Sequence, residues 1–169
     1  MATFNTICVI GLGYIGLPTA VALAREGRFV IGVDIDEKVV NKINRGETHF
    51  NEPELTAALK SAVENNRLFA TTQVDSADVF LIAVPTPLDK NLKPDLSYIE
   101  AAAEAIAPVL NKGNLVVLES TSPVGTTQKL AHHLKALRSD LTFPIEIGEN
   151  ADINIAYCPE RVLPTRIRF

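Results

Sequence analysis

The sequence predicts an α/β fold: a doubly wound, mainly parallel six-stranded sheet in a single domain. Three observations carry that expectation. Apolar runs of strand length alternate with longer segments of helical period along the chain. The runs at Val79–Ala83 and Leu115–Glu119 are almost continuously apolar, as strands covered on both faces must be. The length, 169 residues, suits one domain and is short for two.

Thr6–Ile10 reads as the first strand, and Gly11-Leu12-Gly13 leads from it into a helix from about Tyr14 to Glu26, ended by Gly27. Phe29–Asp34 is the second strand, with an acidic residue as its last member. Glu37–Asn44 reads as a helix closed by Arg45-Gly46. Pro53 opens another helix to about Asn65, at a position where its missing N–H costs nothing. Leu68–Thr72 and Val79–Ala83 are the third and fourth strands. Asp95 is placed to cap a helix through Leu110, with Pro108 imposing a kink or an early end and Gly113 the stop. Leu115–Glu119, Thr126–Arg138 and Ile153–Tyr157 complete the alternation as strand, helix and strand. Such alternation implies right-handed crossovers, with a ligand crevice at the carboxyl ends of the strands.

Composition narrows the function classes. The net charge of −4 argues against a nucleic-acid partner, and the one basic cluster, Arg161, Arg166 and Arg168, is equally a solvated end. No apolar run reaches the length of a membrane helix, and the first residues lack the pattern of a signal peptide, so the expected compartment is cytoplasmic. Cys8 and Cys158 lie far apart, without metal-type spacing or a disulfide framework. No metal site is expected: His132 and His133 are neighbours on a helix and face different sides, and His49 has no ligand partners at metal spacing.

Gly11-Leu12-Gly13-Tyr14-Ile15-Gly16 is a G-x-G-x-x-G pattern between a strand and a helix, the context that a Rossmann-type phosphate loop requires. Gly11 permits the tight turn, Gly13 lets the backbone approach a pyrophosphate, and Gly16 lets helix and strand pack closely. The N–H groups at the helix start then face the phosphates. Asp34 stands 18 residues after Gly16, where a carboxylate accepts the ribose hydroxyls of adenosine and repels a 2′-phosphate, which favours NAD over NADP. Asp34 could also cap the next helix, but Asp36 is the better cap and leaves Asp34 free. Thr86, between Pro85 and Pro87 at a strand's carboxyl end, sits on a stiff loop aimed at the crevice, or else merely fills a turn. Glu160 follows the last strand and either enters the crevice, where burial would suit it to proton transfer, or pairs with Arg161 at the surface.

Gly11-Leu12-Gly13-Tyr14-Ile15-Gly16-Leu17-Pro18 resembles the signature of the UDP-glucose/GDP-mannose dehydrogenase family. Further stretches follow in the family's order: Asn44-Arg45-Gly46-Glu47 with Glu52-Pro53-Glu54-Leu55, Val84-Pro85-Thr86-Pro87, Glu119-Ser120-Thr121-Ser122-Pro123-Val124-Gly125, and Tyr157-Cys158-Pro159-Glu160-Arg161-Val162. The last two look most like the branch acting on UDP-N-acetylmannosamine. The resemblance implies oxidation of the C6 alcohol of a nucleotide sugar to a carboxylate with two NAD. It implies that Tyr14 and Ile15 donate backbone N–H groups to the pyrophosphate, that Asp34 holds the ribose, and that Thr86 and Thr127 contact the cofactor. Thr121 and Glu160 resemble the pair that positions the hydrolytic water or handles protons, and Arg161 and Val162 match positions touching the sugar nucleotide. Many family members carry Lys or Arg five residues after the ribose-binding acid, where this chain has Val39.

The resemblance runs through Val162-Leu163-Pro164 and breaks at Thr165, where a glycine is usual. Residues 1–164 therefore read as the NAD-binding domain and 165–169 as an atypical tail, from truncation or a frame change. The family's connecting helix, sugar-binding domain and Gly-Gly-His-Cys-like nucleophile segment are absent from the sequence. The expectation is cofactor binding without turnover, Cys158 being a packed small residue rather than a substitute nucleophile. Homo-oligomers are expected, because a sheet edge and a helix face would be left bare. A stand-alone NAD-binding regulatory module, and an unrelated protein of the same fold such as a methyltransferase or a 6-phosphogluconate-type dehydrogenase, are the competing readings.

Overall fold

A computed structural model describes residues 4–159 of the chain. The described elements are strands β1 (Thr6–Ile10), β2 (Phe29–Val33), β3 (Leu68–Thr71), β4 (Val79–Ile82), β5 (Leu115–Leu118) and β6 (Asn154–Tyr157). Helices α1 (Gly16–Arg25), α2 (Glu37–Asn44), α3 (Pro53–Glu64), α4 (Ser97–Ile106), α5 (Thr126–Leu137) and α6 (Pro144–Ile147) connect them. The strands form one sheet in the order β3-β2-β1-β4-β5-β6. Every pairing in it is parallel. The chain builds outward from β1 in one direction and then, from β4, in the other. That reversal opens a crevice beyond the carboxyl ends of β1 and β4, where open α/β sheets bind their ligands.

Side-chain alternation along β1 explains the two cores. Ile7 and Val9 point to one face, where they pack with Leu17, Val21, Ile43, Leu55 and Leu59 from α1, α2 and α3. Cys8 and Ile10 point to the other, toward Ile99, Ala103 and Ile106 of α4 and Leu130 and Leu134 of α5. Both faces are covered, so β1 carries no polar side chain beyond the half-buried Thr6 at its start, and β4 and β5 carry none. Edge strand β6 is different: Asn154 and Tyr157 are exposed and Ile155 and Ala156 half-buried. Among the described residues no helix is long and apolar enough to cross a membrane.

Local chemistry sets the helix ends. Asp36 caps α2 by accepting from the Lys38 N–H at 2.8 Å. Asp95 accepts from the Ser97 N–H at 2.9 Å, so it serves the start of α4 from one residue further out than expected. The α4 ladder stops at Ile106 and tightens into a 3₁₀ turn over Ala107–Val109, short of the expected Leu110, because Pro108 has no N–H to donate. The sequence reading missed α6 and the 3₁₀ turn Gly148–Asn150 that follows it. Neither buries a side chain, so there is no apolar period to detect. The signal left was Pro144 in the first turn and Glu146, whose carboxylate accepts from the Phe143 N–H at 3.1 Å.

Candidate functional site

The phosphate loop is a packing device at two of its glycines and an open platform at the third. Gly11 takes φ +91°, and a Cβ there would stand 2.7 Å from the Ala83 carbonyl oxygen of β4's continuation. A Cβ on Gly16 would lie 1.8 Å from the Gly11 carbonyl oxygen, so α1 starts as close to the loop as backbone allows. Between them, the fully buried Leu12 side chain presses against Gly32 of β2. Gly13 differs: a Cβ there would meet nothing within 4 Å. The tight turn expected at Gly11 and the close packing expected at Gly16 are both present. Since α1 begins at Gly16, the amides of Tyr14, Ile15 and Gly16 precede the helical ladder and offer an anion site.

Asp34 follows β2 and reaches back over this loop. Its Oδ2 accepts from the Leu12 N–H at 3.0 Å and its Oδ1 from the Asp36 N–H at 3.0 Å. Asp36 rather than Asp34 caps α2, as expected, and the Asp34 carboxylate is clamped by two backbone amides instead. Each oxygen keeps further acceptor capacity for a hydroxyl. Next to it lies a cavity of about 730 Å³, walled by Gly13, Tyr14, Asp34 and the 90% exposed Ile35 on one bank. Val84, Tyr98, Ala101 and Val109 form the other, apolar bank.

Tyr14 points its side chain away from the strands and into a clasp that sequence reasoning missed. Its ring stacks on Phe50 at 4.5 Å between centroids, and its hydroxyl donates to Glu52 Oε1 at 3.0 Å. Glu52 is buried just before Pro53, so the segment between α2 and α3 holds the phosphate loop from outside. His49 belongs to the same segment, edge-on to Phe50, and its burial holds its pKa below the ordinary 6.5.

A second cavity, about 200 Å³, continues the crevice across β4 and β5. Ile15, Ala83, Val84 and Pro85 border both cavities, and Thr86, Glu119, Ser120 and Thr121 close the second. The Thr86 hydroxyl donates to the Thr121 carbonyl at 2.6 Å, bringing two of the expected residues together. The Ser120 hydroxyl donates to the Val84 carbonyl at 2.7 Å, tying the same two loops a second time. Glu119 is 5% exposed and accepts from the Thr19 hydroxyl of α1 at 3.0 Å. Thr127 is half-buried in the first turn of α5 and lines neither cavity. Glu160, Arg161 and Val162 lie outside the described residues.

The thiols part company. Cys8 is buried in β1, and burial pushes its pKa up to about 12. Cys158 is exposed, which corrects the expected packed residue. Its N–H still pairs with the Leu118 carbonyl at 3.0 Å, but among the described residues no strand lies beyond β6 to cover the side chain. His132 Nδ1 lies 2.8 Å from the Gln128 carbonyl and His133 Nε2 3.7 Å from Glu104. Among the described residues no group of three or more His, Cys, Asp or Glu side chains is placed to hold a metal ion.

Residues 5–168 match the model of the UDP-glucose/GDP-mannose dehydrogenase family, NAD binding domain. The chain belongs to this family. It is the NAD-binding domain of that family, and NAD is its cofactor. This dehydrogenase domain is 59% identical over 165 residues to UDP-N-acetyl-D-mannosamine dehydrogenase of Escherichia coli strain K12, covering 98% of the chain and 39% of the relative. It is equally 59% identical, over 164 residues, to an NDP-N-acetyl-D-galactosaminuronic acid dehydrogenase of Ralstonia nicotianae, covering 97% of the chain and again 39% of the relative. Among solved structures, UDP-D-ManNAc dehydrogenase from Pyrococcus horikoshii superposes with a TM-score of 0.87 at 43% identity, over 96% of this chain and 38% of that one. The GDP-mannose dehydrogenase of Pseudomonas aeruginosa does so with a TM-score of 0.83 at 30% identity, over 93% of this chain and 36% of that one. The dehydrogenase domain thus spans about two fifths of the length of these relatives, with 39% of the first covered. Membership removes the methyltransferase reading and does not favour the regulatory module.

Proposed function

We propose that this domain presents NAD to a nucleotide sugar whose C6 alcohol is oxidised to a carboxylate, with UDP-N-acetylmannosamine as the substrate. The observation that carries the cofactor placement is the continuous crevice from Asp34 to Thr121 across the topological switch point. Its parts fit a dinucleotide in order. Asp34 accepts ribose hydroxyls beside the apolar slot that takes adenine, the Tyr14 and Ile15 amides take the pyrophosphate over the open Gly13 peptide, and Thr86 meets the nicotinamide end. Thr127 is a further cofactor contact. NAD, when bound, supplies the hydride acceptor. Thr121 and Glu160 position water or move protons, and Arg161 and Val162 touch the sugar nucleotide. The complete enzyme is a cytoplasmic homo-oligomer in this reading.

The substrate rests on the name of the Escherichia coli relative, and the Ralstonia relative, equal in identity, favours an NDP-N-acetylgalactosamine-type sugar as the second reading. Carrying an aldehyde to an acid by hydride transfer needs a thiohemiacetal and then thioester hydrolysis. Of the two thiols, Cys8 is buried with its pKa pushed up to about 12, and Cys158 is exposed just past β6. Calorimetry with NAD, together with an assay for NADH from UDP-N-acetylmannosamine, tests the reading. The 169 residues are expected to bind NAD and form no NADH. Absence of NAD binding overturns the cofactor placement, and NADH formation that is lost in Cys158→Ser makes Cys158 the nucleophile.

A further inference from the structure

Strand β3 stands at one end of the described sheet and carries none of the usual guards against a second chain. Its four residues, Leu68-Phe69-Ala70-Thr71, include no charge and no proline, and Phe69 is 39% exposed. An uncharged edge strand of this kind is a template for pairing with another strand. We propose that Asn44 locks this edge: its side-chain amide stands in for a neighbouring strand and keeps β3 from pairing with the β3 of a second copy of the chain.

One side of β3 is taken by β2. The Val30 N–H donates to the Arg67 carbonyl at 2.8 Å and the Asp34 N–H to the Thr71 carbonyl at 3.1 Å, so Arg67 and Thr71 turn these groups toward β2. Alternation along the strand then turns the backbone groups of Leu68 and Ala70 outward. At Ala70 both outward groups meet one side chain. The Ala70 N–H donates to Asn44 Oδ1 at 2.7 Å, and Asn44 Nδ2 donates to the Ala70 carbonyl at 2.8 Å. An added antiparallel strand would make the same two bonds, one accepted and one donated, from a single residue opposite Ala70. Of the side chains this short, an amide alone can supply both, since a carboxylate only accepts and an aliphatic group does neither. Asn44 is the last residue of α2, 26 residues from Ala70, so the lock is set when the crossover from β2 to β3 folds back onto the sheet. Self-association of this domain is thereby directed away from β3. The rival role is a clip that only holds α2 to the sheet, whose loss would cost stability and leave the edge unused.

The test compares the 169-residue chain with Asn44→Ala and Asn44→Asp by sedimentation over a concentration series, with amide hydrogen exchange read at Ala70. Both variants lose the donor to the Ala70 carbonyl, but Asn44→Asp leaves a negative charge at the edge, which is a guard of another kind. Asn44→Ala is expected to self-associate at least about tenfold more tightly than wild type, and Asn44→Asp to stay within about twofold of it. In wild type the Ala70 amide is expected to exchange slowly at every concentration. In Asn44→Ala it should exchange fast when dilute and slow down as the chains associate. Asn44→Ser, polar but too short to span both groups, carries the same comparison if Asn44→Ala does not fold. Fast exchange at Ala70 in wild type overturns the lock itself. Association of Asn44→Ala no tighter than wild type, or equal association of the Ala and Asp variants, overturns the proposal and leaves Asn44 a clip for α2.

Discussion

The two halves of the crevice are built by different means. The Asp34 half is made of backbone: Gly11 and Gly16 sit where any Cβ would strike a carbonyl oxygen, and Asp34 is held by two amide N–H groups. The Thr86 half is made largely of side chains bridging distant loops, Thr86 to Thr121 and Thr19 to Glu119. The contrast teaches that the phosphate-binding half, the open Gly13 apart, cannot be altered without touching the fold. The other half can be retuned by single side chains, which is where a family sharing one cofactor and differing in substrate can vary.

The largest expected effect breaks the first half outright. Gly16→Ala forces a Cβ onto the Gly11 carbonyl, and a loss of about 3 kcal/mol or more is expected in denaturant melts, with NAD binding abolished. Gly13→Val is the sharper contrast within the same loop. Its Cβ meets no protein atom, so the melting temperature should hold while NAD affinity falls at least about a hundredfold, near 2.7 kcal/mol by calorimetry. Unchanged affinity would mean that this loop is only a turn.

Asp34 lies between these extremes. Wild-type chain is expected to bind NAD at least about tenfold tighter than NADP, about 1.4 kcal/mol, and Asp34→Asn to narrow that gap. The clamp adds a cost, since an amide NH₂ would face one of the two backbone donors, so about 1–3 kcal/mol of stability is expected to go as well. In the second half, Thr86→Val removes the hydrogen bond to Thr121, and the melting temperature should not move. NAD binding should fall several-fold with ADP-ribose binding intact; an equal loss for both ligands would place Thr86 at the adenosine end instead.

The smallest effect is a pH dependence confined to the first half. Burial disfavours the His49 imidazolium, so its folded pKa lies below 6.5. The unfolded chain then binds more protons in that window, and stability falls as pH drops from 6.5 toward the folded value. Melts at about pH 7.5 and about pH 5.5 should show a small acid-side loss that His49→Gln reduces. A loss of the same size in that variant would assign it to other groups.

Much of this arrangement is legible in the residues themselves. The alternation of apolar runs and helical periods determines the sheet class, because a strand buried on both faces can carry no polar side chain. The G-x-G-x-x-G spacing determines the phosphate loop, because both tight glycines answer to contacts within a few residues or with the adjoining strand. Asp36 as a cap and Pro108 as a helix breaker are likewise local, depending on one hydrogen bond made or missing. Tertiary structure alone decided the rest. The Glu52 clasp on Tyr14 and the Glu119 tether to Thr19 depend on partners 38 and 100 residues away, and the exposure of Cys158 on its place just past the edge strand β6. Side chains at such separations meet only after the sheet has fixed its strand order, and no local propensity or spacing encodes that meeting.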